Sequence, residues 1–449
     1  MKTKLYLAEE INTVFNSNIN NKFFFNNVAI DSREVSNRDI FFAIKGDNDD
    51  GHRYVKKVLK NKNNLAIISK GVKNNKRLIK TQNTLESLRN LASYSRQRSK
   101  ATIIAITGSC GKTSLKNLLN SSLKKFGRTH CSPRSFNNHF GVPYSLANLN
   151  LNDNYGVFEL GMSSKGEIDD LVNLVKPHIA IITNIGPAHI ENFKNIYGIC
   201  KAKAEIMNGI SQNGIIILNK DDKFFNTLKK IASKKNIKIL TFGFSQSDIQ
   251  IRKKLRKVFF KIKNKIFHFK MKNFNKSYLY NVAATICVHY SLNHNLNNIK
   301  NNFNNFRIPE GRGNEKKIRI KNKKILLIND SYNSNPTSLN EAIHNFSLIK
   351  KNNHRKVLIM GDMLELGKRS KYYHQQAARV INKTNIDKVY CIGSEVRHTY
   401  KKLNDSKKGK LIKNISFLKE NIFNLLQNND ILLAKSSNRI GLFNFFKKF

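Results

Sequence analysis

The 449-residue sequence has no tryptophan, few acids for its many bases, and only five cysteines. It also has no long apolar run. Each shortage excludes something. A membrane-spanning helix needs roughly 18 consecutive apolar residues, and no stretch approaches that length. Met1 to Asn20 lacks the basic start, apolar centre and small-residue cleavage site of a secretory signal. The cysteines (Cys110, Cys131, Cys200, Cys287, Cys391) are odd in number and never spaced CxxC. That speaks against a disulfide framework or a zinc site, and for a reduced, cytoplasmic setting.

The shortage of acids leaves 80 Lys and Arg against 30 Asp and Glu, a formal charge of +50. Such an excess first suggests a nucleic acid or an anionic membrane as partner. The distribution weakens that reading. Lysines run through the whole chain among asparagines, as in KNKNN, KKNNHRK and NNIKNNFNNF. No RNP-type aromatic signature, finger spacing or basic-zipper pattern accompanies them. No nucleic-acid partner is therefore expected. Two accounts of the charge stay open: a coding bias toward the AT-rich codons of Lys, Asn, Ile and Phe, or a field that serves a polyanion. A substrate with several phosphates benefits under either.

Apolar residues make up 40% of the chain, enough to fold without disulfides. The length suggests about three domains. Residues 1–82 read as a small α/β unit, with short apolar runs at Phe23–Phe25, Ile40–Ile44 and Leu65–Ile68. Thr84–Ser99 reads as a helix leading into a second unit, 83–311. There Ala101–Thr107 (ATIIAIT) has a buried-strand pattern, and Ser114–Phe126 has helical spacing with Gly127 placed as its cap. Further strand patterns at Tyr155–Leu160, Ile179–Asn184 and Gly214–Asn219 alternate with helical segments, which predicts a mostly parallel sheet. Arg252–Lys276 is basic and alternating, and predicts a hairpin. From residue 312 the rhythm restarts with strands in Lys323–Tyr332, His354–Asp362, Asp387–Gly393 and Asp430–Lys435, a second doubly wound unit over 312–449.

Between the strand at Ala101–Thr107 and the helix after it stands Gly108-Ser109-Cys110-Gly111-Lys112-Thr113, then Ser114. Glycines let successive N–H groups converge on phosphate oxygens, and the helix N-terminus adds partial positive charge. Lys112 can reach outer phosphates and the Thr113 hydroxyl can ligate Mg²⁺. A full GxxxxGK would put glycine where Ile106 stands; the shorter TGxxGKT form is present instead. Glu159 ends the strand YGVFEL, where strand ends face the ligand crevice, and can hold Mg²⁺. His189, in TNIGPAHIENF, can ligate a second metal or be structural. Lys203, in KAKAEI, reads from composition alone as part of a solvated helix face.

Taken in order, these pieces resemble the Mur ligase family, the ATP-dependent amide-bond ligases of peptidoglycan precursor synthesis. TGSCGKTS resembles its phosphate loop, SFNNHFGVP (Ser135–Pro143) the segment after it, and FELGMSSKGEID (Phe158–Asp169) its strand end. TNIGPAHIENF and KAKAEI resemble its metal stretch, and GRGN (Gly311–Asn314) its interdomain arginine turn. NDSYNSNPTS (Asn329–Ser338) and GDMLELG (Gly361–Gly367) are similar to the branch that adds D-alanyl-D-alanine to UDP-N-acetylmuramoyl-tripeptide. The resemblance implies three domains: a UDP-substrate domain, a P-loop-type ATP domain and a Rossmann-like domain. It implies that Lys112 contacts ATP, that Thr113 and Glu159 hold one Mg²⁺, and that His189 helps place a second. Lys203 aligns with a lysine that several members carry as a carbamate. Asn281 would contact adenine, Arg312 the phosphates and Asp330 the nucleotide from the last domain. Asp31, Ser32 and Arg33 would lie in the uridine pocket. A monomer is expected. Two departures stand out: Tyr280 precedes Asn281 where a G-x-H-N pattern is common, and Lys435-Ser436-Ser437 replaces a KGS turn. Rival readings are a sister ligase (the third-residue-adding enzyme or folylpolyglutamate synthase) and a basic P-loop ATPase that binds nucleic acid.

Overall fold

Four sheets organise the chain in the computed structural model, which describes residues 4–71, 75–254, 257–271, 273–304, 306–350 and 354–449. Near the amino terminus, Tyr6–Leu7 pairs antiparallel with Phe24–Phe25. The strands Asn27–Ala29, Asp39–Phe42, Leu65–Ile68 and Leu78–Lys80 then form a parallel sheet in chain order. Its apolar runs are buried, with Phe41, Phe42 and Ile67 fully enclosed. The helix Thr84–Arg98 carries the chain onward. It starts at Asn83 because the Asn83 Oδ1 accepts the N–H groups of Leu85 (2.9 Å) and Glu86 (3.2 Å), two donors the helix itself cannot satisfy.

Among the described residues the central sheet has nine strands. In spatial order they are Lys265–His268, Lys257–Ile262, Ile249–Lys254, Lys238–Gly243, Ile215–Asn219, Ile179–Ile182, Thr102–Thr107, Tyr155–Glu159 and Thr129–Cys131. The pairs from Thr129–Cys131 to Ile249–Lys254 are parallel, and the last two are antiparallel. Alternate side chains of Thr102–Thr107 enter two different cores. Ile103 and Ala105 pack with Leu88, Leu146 and Val172; Ile104 and Ile106 pack with Leu115, Leu118 and Val282. A strand covered on both faces has to be apolar throughout, which is why ATIIAIT shows no alternation. Each enclosed isoleucine contributes about 1.5–3 kcal/mol. The strand lies between Tyr155–Glu159 and Ile179–Ile182, where the winding direction reverses. The crevice that binds ligands opens at the carboxyl ends of such strands.

The last sheet runs Asn314–Ile320, Lys323–Asp330, Ile431–Lys435, Lys356–Gly361, Lys388–Ile392 and Lys408–Ile412. Only its first pair is antiparallel. This order sets Asp330, Lys435 and Gly361 side by side at one sheet end.

Two local expectations are corrected. The helix expected over Ser114–Phe126 spans Lys112–Leu123, and Gly127 is not its left-handed cap. Gly127 is small because a Cβ there would meet the Asn154 side chain at 2.5 Å; Asn154 Oδ1 accepts the N–H of Arg128. The hairpin expected over Arg252–Lys276 is a three-stranded antiparallel extension of the central sheet, and the helix Lys276–Ser291 starts at its end. Leu255, Arg256 and part of the KKNNHRK stretch lie outside the described residues. Among the described residues, no helix is long and apolar enough to cross a membrane.

Candidate active site

The phosphate loop leaves the Thr102–Thr107 strand through Gly108, whose φ is +146°; a Cβ there would stand 1.9 Å from Thr183 Oγ1. At Gly111, with φ +83°, a Cβ would meet Asn281 Oδ1 at 3.3 Å. Between them the loop is stitched to the turn Thr183–Gly186. Ser109 Oγ donates to the Gly186 carbonyl (2.9 Å), and the Gly186 N–H donates back to it (2.8 Å). The Cys110 N–H donates to Asn184 Oδ1 (2.9 Å), and Thr183 Oγ1 donates to the Cys110 carbonyl (2.6 Å). The helix Lys112–Leu123 then starts with no side-chain cap at Gly111, which leaves its first-turn N–H groups to an anion. Lys112 Nζ donates to the Gly108 carbonyl (2.7 Å). Burial pushes its ammonium below the usual lysine range, against the opposing pull of Glu159.

Glu159 is 1% exposed. Its two oxygens accept from Thr113 Oγ1 (2.9 Å) and Asn137 Nδ2 (2.7 Å). Two neutral donors satisfy a buried carboxylate here, and a hard oxygen pair, Thr113 and Glu159, faces the loop. Lys203, on the helix Ile196–Ala204, is also 1% exposed. It is therefore not part of the solvated face that composition suggested. Burial holds its amine well below the usual range, and the nearby Lys112 adds to that. His189, at φ +57°, turns to the last domain: its Nδ1 lies 2.7 Å from Glu365 Oε2. The imidazole beside Glu365 keeps that carboxyl below the ordinary value. Among the described residues, no three His, Cys, Asp or Glu side chains converge as a metal cage.

A cavity of about 230 Å³ lies between the central and last sheets. Ser109, Cys110, Gly111, Thr113 and Ser114 line one wall, with Asn281 beside them; Arg312 and Asp330 line the other. Gly108, Lys112, Glu159, His189 and Lys203 lie outside this lining. Arg312 stacks its guanidinium on Tyr332 (4.3 Å) and brings Nη2 to 3.4 Å from Thr113 Oγ1. Asp330 pairs with Lys435 Nζ at 2.9 Å. Burial raises the Asp330 pKa and Lys435 opposes that shift. Of the two departures, Tyr280 donates its hydroxyl to Asp221 (3.0 Å) and sets its ring against Phe244, so an aromatic wall stands next to Asn281. Ser436 fits the fully buried turn because its neighbour is Gly361, where a Cβ would stand 2.6 Å from the Ser436 Cβ.

The turn Asp31–Arg33 is far less enclosed. The Arg33 side chain is 84% exposed and grips Asp31 (Nη2–Oδ2 2.6 Å), which lowers the Asp31 pKa to about 2. Glu34 next to it meets Arg134 at 2.8 Å. Arg134 precedes the stretch that sends Asn137 to Glu159, so one loop touches both the amino-terminal turn and the buried carboxylate.

The sequence reading gave no role to Asn137, Asn184, Asn335 or Glu365, although all four stand within motifs already quoted. Asn335 Nδ2 donates to the Ser109 carbonyl (3.3 Å), and Asn335 Oδ1 accepts from the Cys110 thiol (3.3 Å). Gly186 admits Thr337, whose Oγ1 would lie 2.4 Å from a Cβ there. The seam between central and last domains is thus closed over the phosphate loop. It combines a phosphate cradle, a carboxylate and hydroxyl for a divalent cation, and cations from both sides: the parts of a phosphoryl-transfer site.

Comparison with known proteins agrees. Residues 106–289 match the Mur ligase middle domain, and residues 317–438 match the Mur ligase, glutamate ligase domain. The UDP-N-acetylmuramoyl-tripeptide–D-alanyl-D-alanine ligase of Rickettsia prowazekii is 32% identical, over 94% of this chain and 95% of its own. The enzyme of that name from Buchnera aphidicola subsp. Acyrthosiphon pisum is 34% identical, over 88% and 89%. A crystal structure of MurF from Acinetobacter baumannii superposes with a TM-score of 0.86 at 26% identity, covering 100% of this chain and 99% of the other.

Proposed function

The chain belongs to the Mur ligase family, and on that premise we propose that it joins D-alanyl-D-alanine to UDP-N-acetylmuramoyl-tripeptide in the cytoplasm, acting as a monomer. It is an ATP-dependent ligase with three α/β domains. The observation that carries the acceptor is the last-domain pair of segments, DSYNSNP and GDMLELG, in a chain similar along most of its length to enzymes named for that reaction. We divide it at 1–82, 83–311 and 312–449.

A free carboxylate is a poor acyl donor because its leaving group would be hydroxide or oxide. An oxygen of the tripeptide carboxylate attacks the γ-phosphorus of ATP, and ADP leaves. Lys112 and Arg312 bring positive charge to the transferring phosphoryl group. The amine of D-alanyl-D-alanine then attacks the acyl carbon, loses a proton, and the tetrahedral intermediate expels phosphate as the amide forms. Thr113 and Glu159 suit Mg²⁺, which takes oxygen ligands and keeps sites for water and phosphate. Bound there it supplies charge neutralisation. For a second ion, His189 and Lys203 as a free amine lack an anion; a carbamate on Lys203 would provide one, and its buried, depressed amine suits that reaction. Asn281 and the Tyr280 wall suit the adenine, Asp330 the nucleotide from the last domain, and Asp31, Ser32 and Arg33 the uridine. The seam over the cavity keeps water from the acyl phosphate.

Mass spectrometry of the product tests the acceptor. With UDP-N-acetylmuramoyl-tripeptide and ATP, D-alanyl-D-alanine should be incorporated while single amino acids are not. Incorporation of a lone amino acid instead would transfer the chain to a sister activity.

A further inference from the structure

One peptide plane of the phosphate loop, between Ser109 and Cys110, is held from two domains. Its N–H end donates to Asn184 Oδ1 of the central domain (2.9 Å). Its carbonyl end accepts from Asn335 Nδ2 of the last domain (3.3 Å). The residue that follows the plane, Cys110, is joined to Gly111 at φ +83°. Positive-φ glycines at 108 and 111 flank the Ser109–Cys110 pair, so the loop's path around this plane relies on ties from outside it.

Asn335 is built for the task. It is 8% exposed and caps the helix Pro336–Leu348. Its Oδ1 accepts the Ser338 N–H (2.9 Å), while its own N–H donates to Ser338 Oγ (3.1 Å). Pro336 at the first helical position fixes the backbone after it. The cap locks the carboxamide so that its amide nitrogen points at Ser109. Capping alone is served equally by Asp or Ser. A carboxylate has no donor and a serine hydroxyl has one short O–H, whereas a carboxamide carries the capping oxygen and, on a separate atom, an N–H that reaches the carbonyl across the seam.

We propose that Asn335 is a positioning residue for nucleotide binding. From the last domain it clamps the Ser109–Cys110 peptide, so that the loop is fully formed only when the two domains are docked. The inference rests on the loop being the ATP site, as proposed above, and it extends that reading to the coupling between ATP and domain closure. It predicts that nucleotide affinity, rather than fold stability, records the loss of the Asn335 donor.

The test uses full-length wild type, N335S and N335D. ADP binding is measured by calorimetry with no peptide substrate present, and thermal stability is measured in parallel. Both variants keep a capping oxygen and should melt close to wild type. Both should bind ADP about tenfold more weakly, the equivalent of one lost hydrogen bond, with N335D the weaker because it adds negative charge near the phosphates. Because Asn184 holds the same plane, N184S combined with N335S should cost less affinity than the two single losses together. Wild-type ADP affinity in N335S would overturn the inference, and so would strict additivity in the double variant. A wild type that binds no ADP would instead overturn the reading of the loop itself. Failure to ligate D-alanyl-D-alanine would overturn only the acceptor.

Discussion

The seam over the phosphate loop and the turn Asp31–Arg33 were both expected from the family resemblance to hold a nucleotide, yet they are different kinds of site. In the seam, side chains from distant segments close on one loop: Asn335 on Ser109 and Cys110, Arg312 on Thr113, Thr337 against Gly186. At the amino-terminal turn Arg33 pairs with Asp31 two residues away and is largely in water, with one longer-range contact beside it, Glu34 to Arg134. The first arrangement is organised before substrate arrives. The second keeps its charged groups occupied with each other, and a ligand has to rearrange them. Preorganised groups in a dry site act on charge more strongly than exposed ones.

That contrast can be broken at several points. The largest effect belongs to Lys112→Ala, which should cut ATP-dependent phosphate release about a thousandfold with little change in melting temperature; near-normal turnover would remove the loop from the chemistry. Glu159→Gln comes next, with about a hundredfold loss and a raised Mg²⁺ requirement in a titration. An unchanged Mg²⁺ requirement would show that this carboxylate only ties Thr113 and Asn137. Glu365→Gln, at the seam's rim, should lower kcat/KM by a few-fold. Because the His189 imidazole depresses the Glu365 pKa, the pairing stabilises above the usual carboxylate range and fades as pH falls through the depressed value. The wild-type advantage in melting temperature should be present at pH 7 and gone in strong acid; an advantage that grows in acid would reverse the assignment.

The smallest effect sharpens the other half of the comparison. Asp31 titrates near 2 because Arg33 donates to it, so the pair's contribution is present above about pH 4 and lost between there and pH 2. Arg33 is exposed and Asp31 half-buried, and Asp31→Asn should shift melting at pH 7 by no more than about 1–2 °C. Its KM for the UDP-linked peptide should rise. An unaltered KM would move the uridine pocket elsewhere.

Legibility in the sequence follows the range of the contacts. The strand Thr102–Thr107, the loop glycines and the helix after them were readable because their causes are local: β-branched apolar residues, then backbone conformations that only glycine takes easily. Gly127 was misread, since its smallness answers to Asn154 in another loop and not to the helix before it. Lys203 looked solvated in a lysine-rich chain, and only packing around the Ile196–Ala204 helix buries it. His189 was read toward a metal, while its nearest acid, Glu365, comes from a motif far along the chain. Asn335 was quoted within NDSYNSNP without a role, because its partner Ser109 stands more than two hundred residues earlier. The formal charge of +50 acquires no structural site of its own in these contacts.

The most direct test follows orthophosphate release by the wild-type protein as substrates are supplied one at a time. With ATP and Mg²⁺, release should start only when UDP-N-acetylmuramoyl-tripeptide and D-alanyl-D-alanine are both present, and DNA or RNA should not stimulate it. Release driven by nucleic acid, or none with the complete pair, would contradict the account.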